Sequence, residues 1–349
     1  MNPVSSETQE FSVTARVGSS RMKDVADRAG VSLMTVSLVL RDGETPRVSL
    51  ETRTRVLQAA KELCYVPNAR AQGLRSGVTN VIGLYAGYGF VNVRTPFFTE
   101  IVSGLQEGCE LYDKDLLLHG TFRNRSVEEI YNELRDGRID GLIVNMPATD
   151  PLAHRLAEAH FPVVAVGDAL PGLPSVVVDD EGGGRLIAKH LLEKGHTRCI
   201  YVRGNVEAVS AERRRVAFVQ YALQNGLKVQ QERLSITSPS HANEDLIDYW
   251  QALAPHRRPR AFVFWNDTSA YHFLEFCRMK GLRVPEDMAV IGFDGCPMPY
   301  NDFWLLTTVR APWANAAQTA VERLNALLQG KSVPMETILP VELITGRTS

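Results

Sequence analysis

Residues 21–40 read RMKDVADRAGVSLMTVSLVL, and the spacing of their apolar residues decides the first fold. Met22, Val25, Ala26 and Ala29 recur at i, i+3, i+4 and i+7, one apolar face of a helix. Gly30 tolerates the positive φ at which such a helix stops. Ser32 stands where an N-cap would open a second short helix. Val36, Val39 and Leu40 form the inward stripe of that helix, which leaves Leu33, Met34, Thr35, Ser37 and Leu38 outward or at its edge. Two short helices joined by a glycine-containing turn make a helix-turn-helix, whose second helix would enter a DNA major groove. A third helix follows, with Ser49 as N-cap, Val56, Ala59, Ala60 and Leu63 inward, and Arg53, Arg55 and Lys61 outward. A three-helix bundle with no DNA role has the same periodicity, so the pattern alone leaves both readings open.

Charge distribution favours the first. The whole chain of 349 residues carries a net charge of −2, which by itself argues against a nucleic-acid binder. Residues 20–77, however, hold ten Lys/Arg and six Asp/Glu, a surplus of four positive charges. Residues 1–19 have one more acid than base, and residues 78–349 five more. A basic module on a mildly acidic body fits a DNA-binding head. The five cysteines are scattered, with no C-x-x-C pair and no zinc-finger spacing, and read as reduced, buried thiols of a cytoplasmic protein. Residues 1–19 lack both an apolar run and a basic start, so they read as a disordered tail and not a signal peptide. Nothing approaches a membrane span.

From Val81 onward, short apolar strands alternate with helical stretches. VIGLY (81–85), DLLLH (115–119), GLIVN (141–145), VVAVG (163–167), SVVVD (175–179), CIYVR (199–203), AFVFW (261–265) and MAVIGF (288–293) read as strands. Stretches 97–111, 127–136, 182–194, 211–225, 268–280 and 312–328 have helical character. Near-continuous apolar strands between helices predict parallel sheets covered on both faces, here as two α/β subdomains with a cleft between them. Ligands of such sheets bind at the carboxyl ends of the strands. That rule nominates Asn145, Asn266, Asp267 and Asp294, although Asn and Asp also favour such turns for purely local reasons.

The word order adds a resemblance. D-V-A-x-x-A-G-V-S-x-x-T-V-S at Asp24–Ser37, T-R-x-R-V at Thr52–Val56 and Y-x-P-N at Tyr65–Asn68 closely resemble the headpiece of the lactose-repressor/galactose-repressor family, and the likeness runs on to the C-terminus. The resemblance implies that Leu33, Met34 and Leu38 occupy base-reading positions, and that Thr35 and Ser37 contact phosphate or pack the helix. It implies that NARAQGLRS (68–76) is a hinge helix that folds when two copies pair in the minor groove, with Asn68, Ala71 and Leu74 at the DNA and Leu74 as a wedge between base pairs. Alone, such a segment is too short to be stable. Arg70 departs from the small or branched apolar residue common there, and Leu38 from the usual arginine.

The core resembles periplasmic sugar-binding proteins. By that likeness TPFF (95–98) brings Phe98 to the pocket, and S-A-E-R-R-R-V-A-F (210–218) brings Ser210 and Arg214, with Ala217 in place of a glycine. Asn266, Asp294 and Trp313 fall at the family's other pocket positions, beside Asn145. Arg214 and Asp294 would bind hydroxyls or a carboxylate, while Trp313 and Phe98 would supply apolar faces. Gly167 stands where several relatives carry an acid, with Asp168 as a possible substitute.

Enzyme readings lack support. Asn92 breaks a G-x-G-x-x-G after Gly87, Gly182–Gly184 has no P-loop lysine, and neither G-x-S-x-G nor H-E-x-x-H occurs. A secreted solute-binding protein would have no helix-turn-helix. The expected molecule is a cytoplasmic regulator of transcription, a repressor that works without cofactor or metal. It would bind double-stranded operator DNA as a homodimer (a dimer of dimers being the alternative) under control of a sugar-like small molecule. The expected segments are the head at 20–66, the hinge at 67–78 and the core at 79–349. Within the core, 79–178 and 310–340 would form one subdomain, and 179–309 and 341–349 the other.

Overall fold

The computed structural model describes residues 20–41, 48–68, 73, 77–87, 95–120, 124–204, 207–233, 239–296 and 305–349, with backbone alone for 41, 232–233 and 239–242. The tail 1–19, Arg70, Ala71 and Leu74 therefore lie outside the described residues. Two compact units divide the chain, Met1–Thr79 and Asn80–Ser349.

The first unit contains α1 (Met22–Ala29), α2 (Leu33–Arg41) and α3 (Leu50–Glu62). Gly30 ends α1 at φ 63°, and its N–H reaches back to the carbonyls of Ala26 and Asp27. The Ser32 hydroxyl accepts from the Thr35 N–H at 3.1 Å, and the Ser49 hydroxyl from the Thr52 N–H at 3.3 Å, so both capping serines satisfy donors that the helix cannot. Val25, Val36, Val39 and Val56 meet in a small core that excludes water almost completely. An Arg28–Glu62 ion pair at 2.8 Å ties α1 to the end of α3 on the surface. Cys64, expected to be buried, is exposed: it sits just past α3 with φ 47°, in a left-handed turn that carries its side chain outside the small core.

The second unit holds two six-stranded sheets. The first contains β1 (Val81–Ala86), β2 (Asp115–Leu118), β3 (Gly141–Asn145), β4 (Val163–Val166), β5 (Ser175–Val178) and β11 (Glu336–Leu339), in the order β11-β5-β4-β3-β1-β2 and parallel throughout. The second contains β6 (Arg198–Arg203), β7 (Lys228–Arg233), β8 (Ala261–Phe264), β9 (Ala289–Asp294), β10 (Thr307–Arg310) and β12 (Glu342–Ile344), in the order β12-β10-β9-β8-β6-β7. Among the described strands of this sheet only β12 runs antiparallel. The central strands β3, β4, β5, β8 and β9 are buried along their whole length, as their unbroken apolar runs require.

Helices cover both faces. On the first sheet lie α4 (Pro96–Leu111), α5 (Val127–Leu134) and α6 (Pro151–Ala157). With the second go α7 (Asp180–Glu193), α8 (Val209–Gln224), α9 (Pro239–Ala252) and α10 (Asp267–Met279). The chain leaves β10 in the second sheet, and α11 (Trp313–Leu328) then packs on α4 and on β3, β4 and β5 of the first. It adds β11 there and returns to the second sheet as β12. The two α4 and α11 backbones approach so closely that a Cβ on Gly104 would lie 2.0 Å from the Ala314 carbonyl oxygen. Among the described residues no helix is long and apolar enough to cross a membrane.

Candidate functional site

Each sheet reverses its strand order once, between β1 and β3 in the first and between β6 and β8 in the second, and open parallel sheets bind ligands beyond the carboxyl ends at such points. A cavity of about 400 Å³ lies there, walled by residues of both subdomains. Phe98 comes from the start of α4, Asn145 from the end of β3, and Ser210 and Arg214 from the first turns of α8. Asn266 caps α10, Asp294 ends β9, and Trp313 opens α11. All seven pocket candidates read from the sequence thus line one cavity, joined by Thr95, Phe97, Gly167, Asp168, Trp265 and Thr268.

Its apolar wall is an aromatic cluster. Phe97 meets Phe98 edge-on at 5.2 Å between ring centroids and Trp313 at 5.0 Å. The Trp313 indole N–H donates to a carboxylate oxygen of Asp294 at 3.3 Å, so the ring is oriented as well as packed. Gly167 has φ 83°, and a Cβ there would fall 3.0 Å from the Asn145 amide nitrogen and 3.2 Å from the Phe97 ring. An acidic side chain at Gly167 would displace both. Instead the Asn145 amide donates to the Val166 carbonyl at 2.8 Å.

The polar wall consists of buried charges held in place by their neighbours. Arg214 sends its Nε and Nη2 to one oxygen of Asp180, at 3.2 and 2.8 Å, and its Nη1 to the Trp265 carbonyl. The guanidinium carbon stands 3.2 Å from the centre of the Phe293 ring. Only 6% of the Arg214 side chain and 2% of the Asp180 side chain is exposed. Burial pushes Asp180 up to about 6 against the pull of Arg214. Three of the five guanidinium N–H groups are therefore committed inside the protein before any ligand arrives.

Asp267, beside Asn266, is a buried staple: its carboxylate accepts from the Thr308 hydroxyl at 2.6 Å and the Gly295 N–H at 2.8 Å. Asn266 accepts from the Ser269 N–H at 2.9 Å, the local turn chemistry expected of Asn, while also lining the cavity. Asp294 is buried at φ 129°, and burial, then the charge of Asp267, raise its carboxyl well above the usual range. Strain at a non-glycine position of this kind persists only where its surroundings hold it.

Asp168 follows β4 in the first subdomain but faces the second. Its carboxylate accepts the backbone N–H groups of Val209 at 3.1 Å and Ser210 at 2.8 Å, where α8 begins. A carboxylate at a helix N-terminus satisfies free donors and meets the positive end of the helix dipole. Burial nevertheless raises its pKa. A second tie between the subdomains runs from Arg213 on α8 to Glu336 on β11.

Sequence reasoning missed Asp180 and the committed state of Arg214. The doubled acid Asp179-Asp180 after an apolar strand was the available signal. In the first unit, Leu33 is 50% and Met34 73% exposed, side by side at the start of α2. Thr35, Ser37 and Leu38 are half-buried, and the Thr35 hydroxyl bonds that of Ser32 at 2.9 Å. Asn68 is exposed.

Comparison with known proteins agrees with this arrangement. Residues 21–68 match the family described as bacterial regulatory proteins, lacI family, and residues 188–349 match a periplasmic binding protein-like domain. The HTH-type transcriptional repressor PurR of Aliivibrio fischeri (strain ATCC 700601 / ES114) is 30% identical over 89% of this chain and 92% of its own. A crystal structure of the lac repressor dimer bound to operator and the anti-inducer ONPF superposes with a TM-score of 0.80 at 28% identity, over 94% of this chain and 98% of that one. A complex of the transcriptional regulator CelR with cellobiose gives a TM-score of 0.67 at 25% identity, over 95% and 100%. The chain belongs to the lacI family of bacterial regulatory proteins, as a transcription regulator with a DNA-binding head and an effector-binding core.

Proposed function

We propose that the cleft binds a neutral polyhydroxyl effector, a sugar or sugar derivative, and that its occupancy controls how a homodimer of this chain binds operator DNA, with repression as the output. The observation that carries this reading is the charge state of the cavity. Among the described lining residues Arg214 is the one cation, and it is already paired with Asp180, while Asp168 and Asp294 bring two carboxyl groups. A carboxylate or phosphate effector would meet no uncommitted positive charge. Hydroxyls would find acceptors and donors in Asp294, Asn145, Asn266 and Ser210, and C–H faces would stack on Phe98 and Trp313. The cellobiose complex of a relative supports the same class.

Control follows from the ties across the cleft. An effector that changes the angle between subdomains must break or strengthen the bonds from Asp168 to Val209 and Ser210 and the Arg213–Glu336 pair. The head would read bases through Leu33, Met34 and Leu38 and phosphates through Thr35 and Ser37, and the hinge would use Asn68, Ala71 and Leu74. The protein would act in the cytoplasm. Head at 20–66, hinge at 67–78 and core at 79–349 remain the proposed functional segments.

A thermal-shift screen tests the effector class. At 100 times its dissociation constant a ligand stabilises by about 2.7 kcal/mol. Neutral mono- and disaccharides should include a hit, and replacing Asp294 with Ala should remove it. Stabilisation by sugar acids alone, kept in the Asp294→Ala variant, would overturn the proposal.

A further inference from the structure

A second recess, of about 530 Å³, opens at the opposite end of the second sheet, where β6, β8 and β9 begin. It is lined by Lys194, His196 and Arg198 from the turn into β6, and by His256, Arg258 and Arg260 from the approach to β8. Among the described residues no Asp or Glu side chain lines it, and Ser349 lines it as well.

The cations here differ from those around the cleft. Elsewhere in this subdomain several arginines stand against carboxylates: Arg203 and Arg215 with Glu212, Arg213 with Glu336, Arg278 with Glu275, and Arg283 with Asp287. Among the described residues, none of Lys194, Arg198, Arg258 and Arg260 is in an ion pair. Arg258 donates to the carbonyls of Leu253 and Gln251 and lies over the Trp250 ring at 4.9 Å. Arg260 donates to the Glu286 carbonyl, and the nearby Asp287 is held by Arg283. Backbone carbonyls fix both guanidinium groups without neutralising them. The field is felt by His196, whose pKa is lowered by burial and then by Arg260, His190 and Lys194.

Four cations outside any ion pair around one concavity favour a ligand with more than one negative charge. A phosphate ester carries about −1.5 to −2 at neutral pH, and guanidinium forks match its oxygens. The recess volume suits a small molecule, not a duplex. We propose that this recess is a second ligand site, which takes a phosphorylated metabolite and is separate from the cleft. It lies at the amino ends of strands whose carboxyl ends wall the cleft, so the two sites can be occupied together. The site does not depend on what the cleft binds.

Inorganic pyrophosphate, titrated calorimetrically into the full chain at fixed ionic strength, tests this. The expected result is one saturable site, weakened about tenfold or more in a Lys194→Gln/Arg198→Gln variant, together with a rise in the His196 pKa, read by NMR, when pyrophosphate is bound. The variant should melt at the wild-type temperature and bind operator normally without pyrophosphate. If the double variant fails to fold, the two single variants give the same reading separately. No saturable binding, or equal affinity in wild type and variants, overturns the proposal.

Discussion

The head and the cleft invert each other's chemistry. On the head, large apolar side chains stand in water: Met34 is 73% exposed and Leu33 50%. In the cleft, the charged groups are the buried ones, with Arg214 at 5% exposure and Asp180 at 3%. An exposed leucine costs the folded head little and gains when a partner covers it. A buried ion pair is expensive to desolvate, and here Arg214 satisfies only one oxygen of Asp180. On the proposed reading, recognition is stored as an uncovered surface in one region and as a prearranged polar framework in the other. Substitutions at the first should alter binding without altering stability, and substitutions at the second should do both.

The sharpest way to break that contrast is to separate the regions. A chain lacking residues 1–79 should lose operator binding altogether and keep a folded core, because the division between units falls at Thr79 and Asn80. A mobility shift with the truncated chain would contradict the assignment of DNA binding to the head. Next in size is Arg214→Ala, which leaves Asp180 buried and unpaired beside the cleft. Breaking such a pair costs about 3–5 kcal/mol. Denaturant titration should show that loss, whereas Leu33→Ala and Met34→Ala should stay within about 0.5 kcal/mol of wild type. Equal effects at the two places would erase the distinction.

A smaller effect separates the two by pH. Asp294 has a raised pKa in the folded core, so the folded state holds its proton more tightly than the unfolded state. Its contribution to stability is present in full below the unfolded carboxyl value. It is lost as pH rises through the folded one. Stability of the wild-type core should therefore fall relative to Asp294→Asn between weakly acidic and neutral pH, by at most about 1.4 kcal/mol per unit. Parallel profiles for the two proteins would show that Asp294 does not titrate in this way. The smallest effect belongs to the head. Leucine offers no hydrogen bond to guanine, so on the proposed reading Leu38→Ala should reduce operator discrimination by only about 1 kcal/mol, at a position it would read through thymine methyls. Selection from random duplexes that requires guanine there, with or without Leu38, would reassign base reading to another residue.

The same inversion explains what the sequence revealed. The head was legible because its caps and stripes are local: Gly30, Ser32 and Ser49 each act within a few residues of their own position. The eight strands read from the sequence were legible as unbroken apolar runs. The strands β7, β10, β11 and β12 were not, because KVQQER, TTVR, ETIL and ELI alternate or carry charge. Three of these lie at sheet edges, where only one side is paired. The pocket candidates came from strand ends and resemblance, and the structure gathers them around one cavity. The partners that set their charge were hidden because they are remote in sequence: Asp180 lies 34 positions from Arg214, and Asp168 lies 42 positions from Ser210. No periodicity reports such a pairing. The packing of α7 on α8 brings Asp180 to Arg214, and the meeting of the two subdomains brings Asp168 to Ser210.

The central claim is that cleft and head are two ends of one equilibrium. Its most direct test is a closed cycle on the full chain. An operator duplex is first selected from a random library, and a sugar is identified by thermal shift. The affinity for operator is then measured with and without saturating sugar, and the affinity for sugar with and without saturating operator. Linkage requires the same factor in both directions, with about 5- to 150-fold the usual range. The account predicts equal factors well away from one, reduced to one by Asp294→Ala. A sugar that binds the cleft tightly and leaves operator affinity unchanged would contradict it.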